Sequence, residues 1–132
     1  MAETDSMEEI KRRKMFIDVF SQGLDAIVAW IEGMYELSPE LKEDIMGNDP
    51  EALIACWSVR EHIGFEERLP LLELPCLFYV GDQDYMYQRA KSTADIIPSA
   101  RFISLPDLDH FGALLKSDVV LPHVLNFLSD IS

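Results

Sequence analysis

The stretch that most constrains this fold is Leu74–Asp84, LPCLFYVGDQD. Pro75 opens a continuous apolar run, Cys76-Leu77-Phe78-Tyr79-Val80, and Gly81 stops it. A run this short, rich in aromatic and β-branched residues and closed by a turn residue, reads as a strand buried on both faces. The chain then turns through Asp82-Gln83-Asp84, so a carboxylate stands just past the strand's carboxyl end. Open α/β sheets build their sites at that end. A helical stretch, Tyr85–Ile97, is closed by Pro98, and a second short strand, Arg101–Leu105, runs out into Pro106-Asp107-Leu108-Asp109-His110-Phe111-Gly112. The unit is strand–helix–strand, and its two strands are expected to be parallel. Each ends in a polar loop on the same sheet edge, one offering an acid and the other a histidine.

Upstream the period changes. Phe16, Phe20, Leu24, Ile27, Ile31 and Met34 recur at intervals of three and four, the helical spacing. Ser6 stands three residues before Glu9, as in a capping box. Ser21-Gln22-Gly23 divides the stretch into two helices, since glycine inside a helix costs about 1 kcal/mol. Ser38-Pro39-Glu40 and Asp49-Pro50-Glu51 each set a capping residue before a proline and an acid, marking two more helix starts. The expected helices lie near 7–20, 22–35, 39–46, 50–62, 86–97 and 119–129, with strands near 76–80 and 101–105. Leu53, Ile54, Cys56 and Trp57 form the buried side of the 50–62 helix, which places His62 near its C-terminus. Met34, Met46, Trp30 and Tyr35 read as core rather than as an acyl pocket. Residues 65–74 read as a connection without a period, with Leu71, Leu72 and Leu74 packed under the sheet. Ser117-Asp118 starts the last helix, in which Val120, Val124, Phe127 (or Leu128) and Ile131 give the apolar stripe, Pro122 falls in or just after the first turn, and His123 takes a surface position.

Charge and length narrow the function. At 132 residues the chain can bury a core without staples, and its net charge of −13 argues against nucleic acid or anionic membranes as partners. Lys11-Arg12-Arg13-Lys14 lies beside Glu8, Glu9 and Asp18 and reads as a solvated helix face. No apolar run approaches membrane-spanning length, and Met1–Glu9 lacks a signal-peptide layout. Cys56 and Cys76 read as buried free thiols, which fits a cytoplasmic protein.

An Asp–His pair suits acyl transfer, because the carboxylate fixes the imidazole's tautomer and stabilises the imidazolium that forms on proton uptake. Asp84 and His110 are the candidates, provided their strands are neighbours. The other reading of the same spacing is a loop acid that caps the 85–97 helix and a loop histidine satisfied by backbone. A nucleophile is missing. Among Gly23, Gly33, Gly47, Gly64, Gly81 and Gly112, none frames a serine or cysteine as a G-x-S-x-G elbow does. Asp107, Asp109 and His110 make a poor cation site from one loop, and the calcium-loop opening at Asp82 lacks its later ligands. Neither a metal nor a cofactor is expected.

The motifs at Pro75–Asp84 and Leu105–Leu114 resemble the C-terminal part of the α/β-hydrolase fold. There a strand ends in a G-x-x-D-type turn, and a later strand ends in a loop carrying the histidine ahead of a last helix. The resemblance implies a partial α/β-hydrolase fold of class α/β. Residues 1–70 form a helical cap-like segment and residues 71–132 a β-α-β-α core segment with two parallel strands. It also implies that Asp84 is the triad acid and His110 the triad base of an ester- or lactone-type serine hydrolase. With no nucleophile the chain is expected to be inactive alone, its partner being a missing N-terminal hydrolase portion. The alternative is a non-catalytic module of that fold that either self-associates, as a homodimer through an exposed strand edge, or binds another partner.

Overall fold

The computed structural model describes residues 7–59 and 66–132, in two compact units, Met1–Ile63 and Gly64–Ser132. The Ser6 cap, His62 and the last residues of the expected 50–62 helix lie outside the described residues.

In the first unit the local signals set the elements: α1 (Met7–Ser21), α2 (Leu24–Glu32), α3 (Pro39–Met46) and α4 (Pro50–Ser58). Gly23, with φ +100°, divides α1 from α2, a backbone geometry that glycine adopts without steric cost. Ser38 Oγ accepts from Leu41 N at 3.2 Å, and Asp49 Oδ1 accepts from Glu51 N at 2.9 Å and Ala52 N at 3.3 Å. These caps supply acceptors for otherwise orphaned helix N–H groups. Glu40, in the first turn of α3, has its carboxyl held below the usual range by its own backbone N–H and then by the Ser38 hydroxyl. An ion pair between Lys42 and Glu32 ties α3 to α2.

Aromatic packing holds α1, α2 and α4 together. The buried Phe16 ring stacks on Trp57 at 4.6 Å and meets Trp30 edge-on at 5.6 Å. Ile27, Ile31 and Leu37 complete the buried set. Two expectations fail here. Met34 and Met46, read as core, are exposed, as is the Cys56 thiol. Met34 follows the end of α2 and Met46 ends α3, while α4 half-buries Pro50, Leu53, Ile54 and Trp57.

The second unit runs from a 3-10 turn (Glu66–Leu71) through β1 (Cys76–Gly81), α5 (Tyr87–Ile96) and β2 (Ala100–Leu105) to α6 (His110–Leu115) and α7 (Ser117–Asp130). The strands are parallel, registered from Cys76 opposite Ala100 to Gly81 opposite Leu105. Side chains alternate across a strand, so Leu77, Tyr79, Arg101, Ile103 and Leu105 share one face. Against that face lies α7: Leu105, wholly buried, packs with Ala113 and Val120, and Arg101 reaches Asp130 at 2.8 Å over the Phe127 ring. Phe78 and Phe102 share the other face, where Tyr87 of α5 meets Phe102 edge-on at 5.6 Å. One helix therefore covers each face, as a parallel pair requires.

Two details correct the sequence reading. β1 is only half-buried, with Tyr79 38% exposed, because among the described residues the sheet has two strands and leaves it one open edge. Leu71 and Leu74 are turned outward by the 3-10 turn instead of packing under the sheet, and only Leu72 is half-buried. α7 begins at Ser117, as the Ser117-Asp118 start anticipates, and Pro122 falls inside it just after the first turn.

Asp107 carries a left-handed backbone, φ +58°, in the loop after β2. That region costs an L-residue about 1–2 kcal/mol, and aspartate tolerates it better than most. Asp107→Gly should therefore raise stability by up to about 1 kcal/mol, and Asp107→Val should lower it by about 1–2 kcal/mol. Urea denaturation checks both signs.

Candidate active site

Both strands deliver their loops to one edge of the sheet, and there the acid meets the histidine. His110 Nδ1 lies 2.9 Å from Asp84 Oδ2, across 26 residues of chain. The Asp84 side chain is 6% exposed, and its second oxygen, Oδ1, accepts from Met86 N at 2.7 Å. The carboxylate therefore both caps the turn into α5 and bonds the imidazole. An ionised carboxylate only accepts, so the ring's hydrogen sits on Nδ1. That leaves Nε2 as the acceptor, and no described residue bonds it. The His110 side chain is 47% exposed. A proton on a reacting group could reach it.

Backbone bonds set this geometry. Asp82 N donates to Leu105 O at 2.9 Å and Gln83 N to Leu108 O at 3.0 Å, sewing the acid's turn to the histidine's loop. Gly81 makes the approach possible, since a Cβ there would stand 2.0 Å from Leu108 O. Asp109 Oδ1 accepts from Gly112 N at 2.8 Å, which starts α6 with His110 as its first residue.

Sequence reasoning missed α6. Its signal was Asp109, an N-cap residue three positions before the Gly112 N–H that it accepts, weighed instead as a metal ligand. It also missed Tyr85, whose ring lies 5.0 Å from the imidazole, tilted by 35°. Phe111 meets the same imidazole edge-on at 5.8 Å. Asp109 Oδ1 caps α6, and among the described residues no group of three or more His, Cys, Asp or Glu side chains is placed to hold a metal ion. No described helix is long and apolar enough to cross a membrane. A shallow groove lined by Leu71, Leu72, Glu73, Pro98 and Ser99 lies at the strands' amino ends, away from the pair.

No protein-family profile and no curated protein sequence matches the chain. Solved structures do. A thermophilic esterase from Thermogutta terrifontis, in a malate-bound structure, superposes with a TM-score of 0.67 at 23% identity, covering 99% of this chain and 53% of that one. A bromoperoxidase from Bacillus anthracis gives 0.68 at 18% identity, covering 89% of this chain and 48% of that one. MenH from S. aureus gives 0.63 at 19% identity, covering 96% and 55%. The chain spans about half the length of these structures. All of them are α/β-hydrolases. With a parallel strand pair, an acid after the first strand and a histidine before the last helices, the chain has the fold of the C-terminal portion of an α/β-hydrolase.

Proposed function

We propose that this chain supplies the acid and the base of an ester- or lactone-type serine hydrolase whose nucleophile comes from an N-terminal portion outside these residues. The observation that carries the reading is the 2.9 Å bond between a buried carboxylate and a half-exposed imidazole at the carboxyl edge of the sheet. Asp84 orients His110. His110 Nε2 takes the proton from the attacking hydroxyl and later returns it to the leaving group. By the same resemblance residues 1–70 correspond to the cap-like segment of such a hydrolase. A cytoplasmic setting accords with the exposed free thiol of Cys56.

Two exposed features support an N-terminal partner. Cys76 N and Asp82 N donate across to the β2 side, so by alternation Leu77 and Tyr79 turn their backbone groups to the open edge of β1. Unpaired edges of this kind accept another strand. On α7, Leu121, Leu125 and Leu128 are 51%, 61% and 48% exposed and recur at four and three residues, forming a second apolar stripe beside the buried one. A nucleophile-bearing portion that added its strands at β1 and packed a helix on that stripe would cover both. A homodimer through the same edge is the competing assembly.

The test is to express the chain alone and together with the polypeptide encoded directly upstream. Alone, it should hydrolyse activated esters no faster than free imidazole. With an upstream portion carrying G-x-S-x-G, an acyl-enzyme burst should appear, and Leu125→Glu should weaken assembly. A burst from the chain alone overturns the proposal. So does a true stop and promoter upstream, together with a stable dimer by light scattering, which would favour the non-catalytic module.

A further inference from the structure

A third carboxylate, belonging to neither role, links the acid's turn to the histidine's loop. Asp82 Oδ1 accepts from Asp107 N at 3.0 Å, a bond spanning 25 residues between the acid's turn and the histidine's loop. Gln83 Nε2 donates to the same oxygen at 3.1 Å and steadies it. Backbone bonds flank this contact on both sides, Asp82 N to Leu105 O and Gln83 N to Leu108 O. At Asp107 itself the facing acceptor is the Asp82 side chain.

The residue held in this way is the strained one. Asp107 has φ +58°, an L-residue backbone that persists only where neighbouring structure enforces it. His110 follows three residues later, at the start of α6. If Asp107 relaxed to negative φ, the segment carrying Asp109 and His110 would swing, and the 2.9 Å contact with Asp84 would be lost. Acid–base chemistry is sensitive to displacements of about 1 Å.

We propose that Asp82 is a positioning residue: its carboxylate clamps the histidine loop in its left-handed turn and thereby sets His110 against Asp84. The consequence for catalysis rests on the proposed acid–base reading, whereas the clamp stands on geometry alone.

The experiment uses the whole 15N-labelled chain as Asp82→Ala and Asp82→Asn, the second because an amide oxygen accepts the same bond. In Asp82→Ala the Asp107 amide should exchange with solvent at least tenfold faster. The downfield His110 Nδ1–H proton resonance should broaden or move to the position of an unbonded imidazole. Amides of the β1–β2 ladder should exchange as before. Asp82→Asn should preserve all three signals. Should Asp82→Ala not fold, Asp82→Ser, whose hydroxyl is too short to span the gap, gives the same reading. An unchanged Nδ1–H resonance in the alanine or serine variant overturns the proposal, and so does an asparagine variant as damaged as they are. Absence of that resonance from the unsubstituted chain would instead overturn the pairing of Asp84 with His110.

Discussion

Gly81→Ala destabilises the second unit by about 3 kcal/mol and separates the acid from the histidine. The added Cβ would stand 2.0 Å from Leu108 O and 2.5 Å from Leu108 C, and both are backbone atoms in a hydrogen-bonded loop. Neither can yield as the tip of a flexible side chain would. Relief requires the turn after β1 and the loop after β2 to part, which breaks the Gln83 N to Leu108 O bond and carries His110 away from Asp84. A loss of that size lowers the melting temperature of a unit this small by more than about 10 °C. Gly47→Ala is the matched control. Its new Cβ would meet only Asp44 O and Glu43 O at 3.5 Å, an ordinary contact, so it should leave stability level or slightly raised. Calorimetry on the two variants decides. A Gly81→Ala melt within about 2 °C of the parent chain would remove the close approach as the reason for this glycine.

Asp84→Asn is expected to keep the fold and reverse the imidazole. The amide is nearly isosteric with the carboxylate, so its oxygen can still accept from Met86 N in place of Asp84 Oδ1. The group left facing His110 is then an NH2 donor. Nδ1 must become the acceptor and the ring's hydrogen moves to Nε2, the atom that has to be bare to take a proton. In an assembly with the nucleophile-bearing portion this should cost about 10⁴-fold in kcat, the size of a tautomer error in a serine triad. Nitrogen chemical shifts of His110 read the tautomer directly and need no activity. A variant that retains Nδ1–H, or that turns over within about tenfold of the parent assembly, would refute Asp84 as the orienting acid.

The residues alone determined the β1–α5–β2 unit with a helix at the chain's end, and which side chains could be acid and base. The reasons are local. The apolar run at Cys76–Val80 has no helical period, Pro75 and Gly81 bound it, and Pro98 closes the helix before the second strand. The proline-led caps at Ser38 and Asp49 were as legible, because a cap bond spans only two or three residues. What lay beyond the sequence was every feature set by contact between distant segments. Met34, Met46, Leu71 and Leu74 are apolar yet exposed, since hydropathy does not say whether a neighbour stands opposite. The half-burial of β1 follows from a sheet of two strands among the described residues, a property of assembly and not of the run itself. Gly81 read as a strand stop, whereas its larger task is the approach of Leu108, a residue 27 positions away. Asp107 looked like one more loop acid, and nothing local marked its positive φ. Sequence could nominate Asp84 and His110, but only the parallel register of β1 on β2, with the bonds between their two loops, brought one to 2.9 Å from the other.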